Sequence, residues 1–211
     1  MISLSSVMSF SGAGNVFSLR GFFSVMLFLC LVFFCFSDNG LAGSSVMWHH
    51  YMQRGQENLD SGRLEQARKD FETARMLDPS SMAAVNDLGV VLYRRGDYLQ
   101  AETLFRQAMS GEKEMFEARV NLGLVLNRLK RWDELLELCD QSLKRQPGSG
   151  TALFGRGVAL YELGRFEEAV TSLESSIEKG SSRDEYFSEA RRYLKKAKAR
   201  ALTGAAVPWE R

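Results

Sequence analysis

Two histidines and three cysteines in 211 residues leave this chain short of metal and nucleophile chemistry. His49 and His50 are adjacent. Successive helical residues point about 100° apart, so they do not chelate as residues at i and i+4 do. No further histidine and no cysteine pair completes a zinc site, and the two are read as capping the first helix. Cys30 and Cys35 lie inside an apolar run, so Cys139 alone remains beyond it, without an intramolecular disulfide partner and with no histidine nearby in sequence. The chain has no phosphate loop of the GxxxxGK type and no GxSxG. A formal net charge of +1 gives no overall drive toward nucleic acid, and acidic pairs such as Glu167-Glu168 fall on solvated faces. The expectation is a protein that is not an enzyme and carries no metal or cofactor.

What the chain has is a period. Gly55, Gly89, Gly123 and Gly157 stand 34 residues apart. Ala67, Phe71, Ala74 and Pro79 follow Gly55 at offsets 12, 16, 19 and 24, and Ala101, Phe105 and Ala108 repeat the first three after Gly89. The fourth unit keeps Gly157, Gly164 and Ala169, with Leu173 at the Phe position. The third keeps Gly123 and Pro147 but carries Leu135, Cys139 and Ser142 where the pattern has Ala, Phe and Ala, and Lys130 at the turn glycine. A glycine inside a helix costs stability relative to alanine, so a recurring one needs a packing reason. The expected reason is a close crossing of Gly89 with Ala101, and of Gly157 with Ala169. The same register accounts for Gly155-Arg156-Gly157 without a nucleotide loop.

Apolar spacing places first helices at about 47–60, 82–95, 115–129 and 150–162 and second helices at about 64–77, 98–109, 132–145 and 166–179. Glycines at Gly62, Gly96 and Gly164 mark the turns, and Leu64, Tyr98, Trp132 and Phe166 follow to plug the seams between hairpins. Leu135 is expected to push the third pair of helices apart and Cys139 to under-fill it, making that unit the soft joint. A ninth helix over 183–202 carries a basic face of Arg191, Arg192, Lys195, Lys196, Lys198 and Arg200. It is read as a polar cap on the last hairpin rather than a patch for nucleic acid or anionic lipid. The tail, 203–211, is read as disordered.

This pattern resembles the tetratricopeptide repeat (TPR) family over roughly Trp48 to Ser181. The resemblance implies an all-α fold: a right-handed α-solenoid of four helical hairpins, at about 48–81, 82–115, 116–149 and 150–182, closed by a C-terminal capping helix. It also implies a protein or peptide ligand held in the concave surface lined by the first helices. The usual ligand-facing positions fall on Met52, Gln56 and Leu59, then Asn86, Val90 and Tyr93, then Val120, Leu124 and Asn127, then Phe154, Val158 and Tyr161. Their apolar bias suggests an apolar or amphipathic segment, although some of these side chains could equally pack on neighbours or the terminal helix. No lysine occupies the positions with which chaperone-binding TPR domains clamp a terminal carboxylate. Alternatives are a structural, self-associating array, or a basic terminal helix on anionic lipid.

Residues 1–43 differ in composition, with no Lys or Glu. Gly21 to Phe36 is uncharged, with Arg20 before it and Asp38 after. This is the pattern of a signal peptide or signal anchor with its apolar core at 21–36. Gly40 and Ala42 suit cleavage after Ala42; the alternative is a retained membrane tether. In either case Arg20 keeps the N-terminus in the cytoplasm and sends the repeats across the membrane, to a periplasmic or other extracytoplasmic side. A reporter active only outside the cytoplasm, fused after Gly43, should therefore be active; activity of a cytoplasm-only reporter at the same joint would contradict the topology.

Overall fold

The computed structural model describes residues 44–111, 115–184 and 186–203. The chain divides into Met1–Val46 and Met47–Arg211. Of the first unit only residues 44–46, which are helical, are described, so the expected leader with its apolar run lies outside the described residues, as does the tail from 204. No helix among the described residues is long and apolar enough to cross a membrane.

The described residues form nine helices and no strand. They are α1 (44–60), α2 (Leu64–Leu77), α3 (Met82–Arg95), α4 (Tyr98–Met109), α5 (Phe116–Arg128), α6 (Trp132–Arg145), α7 (Gly150–Glu162), α8 (Phe166–Lys179) and α9 (Phe187–Thr203). Local chemistry sets their ends. Ser81 and Ser149 cap α3 and α7, each hydroxyl accepting from the backbone N–H three residues on at 3.3 Å. Gly62, Gly96 and Gly164 turn the chain between paired helices with φ of 72°, 90° and 78°. In the third hairpin Lys130 takes that left-handed turn instead, at φ 56°. A non-glycine residue there is strained by about 1–2 kcal/mol.

From α2 onward each helix packs on the next, and α3 also touches α5, α5 touches α7 and α7 touches α9. The odd-numbered helices thus stand side by side, which is the arrangement of an α-solenoid. Leu59, Ala67, Phe71, Leu88 and Val91 share the core between the first two hairpins. Ala101 and Phe105 share the next with Leu122, Val125 and Leu126. Leu160, Ala169 and Leu173 share the last with Ala190 and Ala197 of α9. The cap helix therefore does bury an apolar stripe on the final hairpin. It begins at Phe187 rather than at 183, because Asp184 accepts the Ser181 N–H and folds the preceding residues into a turn. Arg191, Arg192, Lys195, Lys196 and Lys198 are exposed, while Arg200 is half-buried.

The packing reason for the recurring glycine differs from the expected one. A Cβ on Gly55 would lie 2.6 Å from the Phe71 ring, and one on Gly89 would lie 2.6 Å from Phe105. On Gly157 it would lie 2.5 Å from Leu173 Cγ, so the residue at offset 16, not the alanine at offset 12, covers the glycine. The side chain lies across its own first helix and reaches into the core shared with the next hairpin. Burying each ring contributes about 1.5–3 kcal/mol. Ala67, Ala101 and Ala169 are fully buried, but no atom of theirs is among the nearest neighbours of the glycines.

The third unit breaks the rule. A Cβ on Gly123 would meet only Leu135 at 3.5 Å and Leu138 at 3.9 Å, ordinary contacts. Cys139 at the offset-16 position lies instead against α7, 2.8 Å from where Gly155 would carry a Cβ. Helices α5 and α6 are correspondingly less closely packed than α3 with α4 or α7 with α8.

These contacts give substitutions of opposite sign. Gly157→Leu should lose roughly 1–3 kcal/mol to overpacking against Leu173, despite a gain in helix propensity of about 0.8 kcal/mol. Gly123→Ala meets no such obstacle and should gain about 0.8–1 kcal/mol. Lys130→Gly should gain about 1 kcal/mol by relieving the left-handed turn. Urea denaturation reads all three, and stabilisation by Gly157→Leu or loss with Gly123→Ala would contradict the packing described.

Candidate functional site

The face formed by the first helices is built on hydrogen bonds between consecutive units. Arg94 Nη1 donates to the Leu59 carbonyl at 2.8 Å, Asn121 Nδ2 to Asn86 Oδ1 at 3.0 Å and Arg128 Nε to the Tyr93 hydroxyl at 3.1 Å. Each joins a residue to the one 35 positions later. The partnership with Tyr93 also holds the Arg128 guanidinium above its usual pKa.

These joints and the cores absorb part of the surface expected to meet a ligand. Leu59, 3% exposed, sits in the first core, where Met52 packs half-buried. Asn86, 6% exposed, spends its amide on Asn121 and Asp87. Burial holds the Asp87 carboxyl above the usual carboxylate range. Val90 packs between the first and second cores. Tyr161 meets Phe166 and Tyr193 edge-on. Gln56 is exposed and donates to Asp60 at 2.8 Å.

The other six positions come together. Tyr93, Val120, Leu124, Asn127, Phe154 and Val158 line one cavity of about 570 Å³. Leu124, 44% exposed, stands in its wall, whereas Val158 is buried in its floor. Phe154 is stacked on Tyr186 with ring centroids 5.5 Å apart and meets Tyr193 edge-on at 6.4 Å. The terminal helix thus forms one end of the cavity, with Glu189, Arg192 and Tyr193. Burial raises the pKa of the Tyr193 phenol, which keeps it neutral.

The cavity also has walls that the family pattern did not point to. Leu135, Leu138, Cys139 and Ser142 line it from α6, a second helix, and Gly123 and Gly155 line it from the first helices. It therefore runs into the loose third hairpin. The signal was present in the sequence: a unit that keeps its glycine but has lost the ring that covers it. Phe116, Arg119 and Arg128 of α5 and Ser149, Thr151 and Ala152 at the start of α7 line it as well. The Cys139 thiol is pushed up to about 12 by burial first and by the neighbouring Asp140 second.

Two models of the family described as Tetratricopeptide repeat match residues 52–110 and 114–179, together more than half of the chain. The chain belongs to the tetratricopeptide repeat family. Among curated proteins it is similar to the Cell division cycle protein 16 homolog of Homo sapiens, at 28% identity over 131 residues, covering 58% of this chain and 21% of that protein. It is also similar to the DnaJ homolog subfamily C member 7 homolog of Schizosaccharomyces pombe, at 29% over 164 residues, covering 69% and 34%. The chain thus spans about a fifth to a third of the length of these relatives. Among solved structures, MamA (residues 41 to the end) from Desulfovibrio magneticus RS-1 superposes with a TM-score of 0.58 at 17% identity, covering 76% of this chain and 98% of that one. YrrB, described as a TPR protein with an unusual peptide-binding site, superposes at 0.57 with 22% identity, covering 72% and 76%. At these identities the likeness is one of fold, the α-solenoid. TPR arrays are protein-interaction scaffolds, whose stacked units present an extended binding surface.

The high pKa of Cys139 predicts an inert thiol. At neutral pH its thiolate fraction is about a thousandfold below that of an unperturbed cysteine. Ellman's reagent should therefore label Cys139 slowly in the folded protein and quickly in urea; equal rates in the two states would place the sulfur at the surface.

Proposed function

We propose that this chain is a non-catalytic scaffold that holds an apolar or amphipathic peptide segment of another protein against its odd-numbered helices. The observation that carries the reading is the cavity of about 570 Å³ at the centre of that face, where Val120, Leu124 and Phe154 offer apolar surface beside Asn127 and Arg128. Burying such surface under a partner's apolar side chains is the main source of affinity open to a groove of this composition. The apolar run at 21–36 after Arg20 supports a further part of the reading: the repeats work beyond a membrane, exported or tethered, in assembling a cell-envelope complex.

Photo-crosslinking in the native host tests this reading. Benzoyl-phenylalanine at Leu124 should capture a discrete partner protein. The same group at Leu99, exposed on α4 and outside the cavity, should not. Adducts at Leu124 made only of two copies of this chain would replace the adaptor reading with self-association. No adduct at Leu124 would overturn the groove as a binding surface.

A further inference from the structure

We propose that the side of α9 turned away from its hydrophobic contacts is a docking surface for anionic lipid headgroups. The proposal goes beyond the groove reading, because the recess it uses shares no residue with the cavity of about 570 Å³.

Capping occupies only one side of α9. Ala190 and Ala197 are fully buried in the core of the last hairpin. Arg191, Lys195, Lys198 and Leu202 follow one another at steps of four, three and four residues. That spacing aligns them along a single helical face about 16 Å long. All four are exposed, Leu202 at 88%. The three cations share a recess of about 550 Å³ with Ile177 of α8 and with Phe187 and Leu194 of α9.

Charge says what this face fits. The whole chain stands at a formal net charge of +1, but α9 holds six basic residues against one acidic residue, Glu189. The remainder of the chain is therefore net acidic, and positive charge is concentrated on this one helix. Lys198 is paired with Glu174 at 2.7 Å, and Glu189 is paired with Arg192, outside the stripe. Arg191 and Lys195 make no ion pair or hydrogen bond among the described residues.

A bilayer interface matches both parts of the face. Cations meet the headgroups, while apolar side chains beside them enter the boundary with the acyl chains. A nucleic-acid strand would use the cations but needs exposed rings on which its bases stack. The one ring in the recess, Phe187, is half-buried. The apolar run at 21–36 would bring the chain to a membrane surface, cleaved or retained.

The test uses the full chain with benzoyl-phenylalanine at Leu202, added to vesicles of equal parts phosphatidylcholine and phosphatidylglycerol. Irradiation and mass spectrometry should find lipid adducts at Leu202, and none with the same group at Leu99, exposed on α4. A cation near an anionic surface strengthens attachment by about fivefold. Arg191→Glu with Lys195→Glu should therefore cut the Leu202 adducts by at least about tenfold, with helical content unchanged. Vesicles of phosphatidylcholine alone, or about 1 M salt, should lower them comparably. These two arms decide the matter if the double variant fails to fold.

An apolar leader inserting by itself would attach the chain to both kinds of vesicle, so adducts indifferent to headgroup charge and salt would overturn the proposal. Equal adducts at Leu99 and Leu202 would do the same. Fluorescein-labelled single-stranded DNA or polyglutamate that binds the full chain through Arg191 and Lys195, with no lipid adduct at Leu202, would reassign the face and overturn the lipid reading. Each of these failures leaves the groove reading standing, since that is read at Leu124.

Discussion

The close approach of a bare mid-helix glycine to the side chain sixteen residues later sets the spacing within this array. A Cβ at Gly55, Gly89 or Gly157 has no room beneath Phe71, Phe105 or Leu173. Glycine weakens the first helix by about 1 kcal/mol relative to alanine. In exchange, a whole ring lies across that helix and still reaches the next hairpin, as the shared cores of Phe71 with Leu88 and Val91, and of Phe105 with Leu122, demonstrate. One side chain thus ties together the two helices of its own unit and the first helix of the following one.

The third unit shows what happens when that tie is cut. Cys139 is too short to cover Gly123 and packs on α7 instead, while Leu135 takes up part of the space as an oversized replacement for alanine. The joint between α5 and α6 loosens, and Lys130 takes the turn at a strain a glycine would avoid. The unit is nevertheless held from outside. Arg131 reaches back to the buried Glu102 of α4 at 2.6 Å, and Arg106 of α4 reaches forward to Glu134 at 3.2 Å. Ion pairs across the surface hold what the core leaves open.

Much of this was legible in the sequence. The 34-residue glycine period and the turn glycines located α2 through α8 to within a residue or so, because turn chemistry and helical spacing are local signals. What covers each glycine was not legible, since offsets 12 and 16 lie on one helical face and spacing alone cannot say which side chain crosses the hairpin. The site was half legible. Val120, Leu124, Asn127 and Phe154 line the cavity as their positions suggest, whereas Leu59 and Asn86 disappear into the contacts between units. Those contacts depend on how each hairpin leans on its neighbour, which no single repeat encodes. The walls from α6 were missed for the same kind of reason: the loss of a ring at Cys139 reads as softness in a sequence and as a volume only in three dimensions.

Tyr186 and Tyr193 of the terminal region lie over Phe154 and beside Tyr161, on the edge where a fifth hairpin would otherwise dock. Their rings turn an open-ended stack into one of fixed count. A duplicated unit appended after Thr203 would find no complementary edge to join. One inserted at an internal boundary, such as before Ser81, would meet the same kinds of neighbour on both sides. The array of hairpins can therefore lengthen only from within, in whole steps of one hairpin.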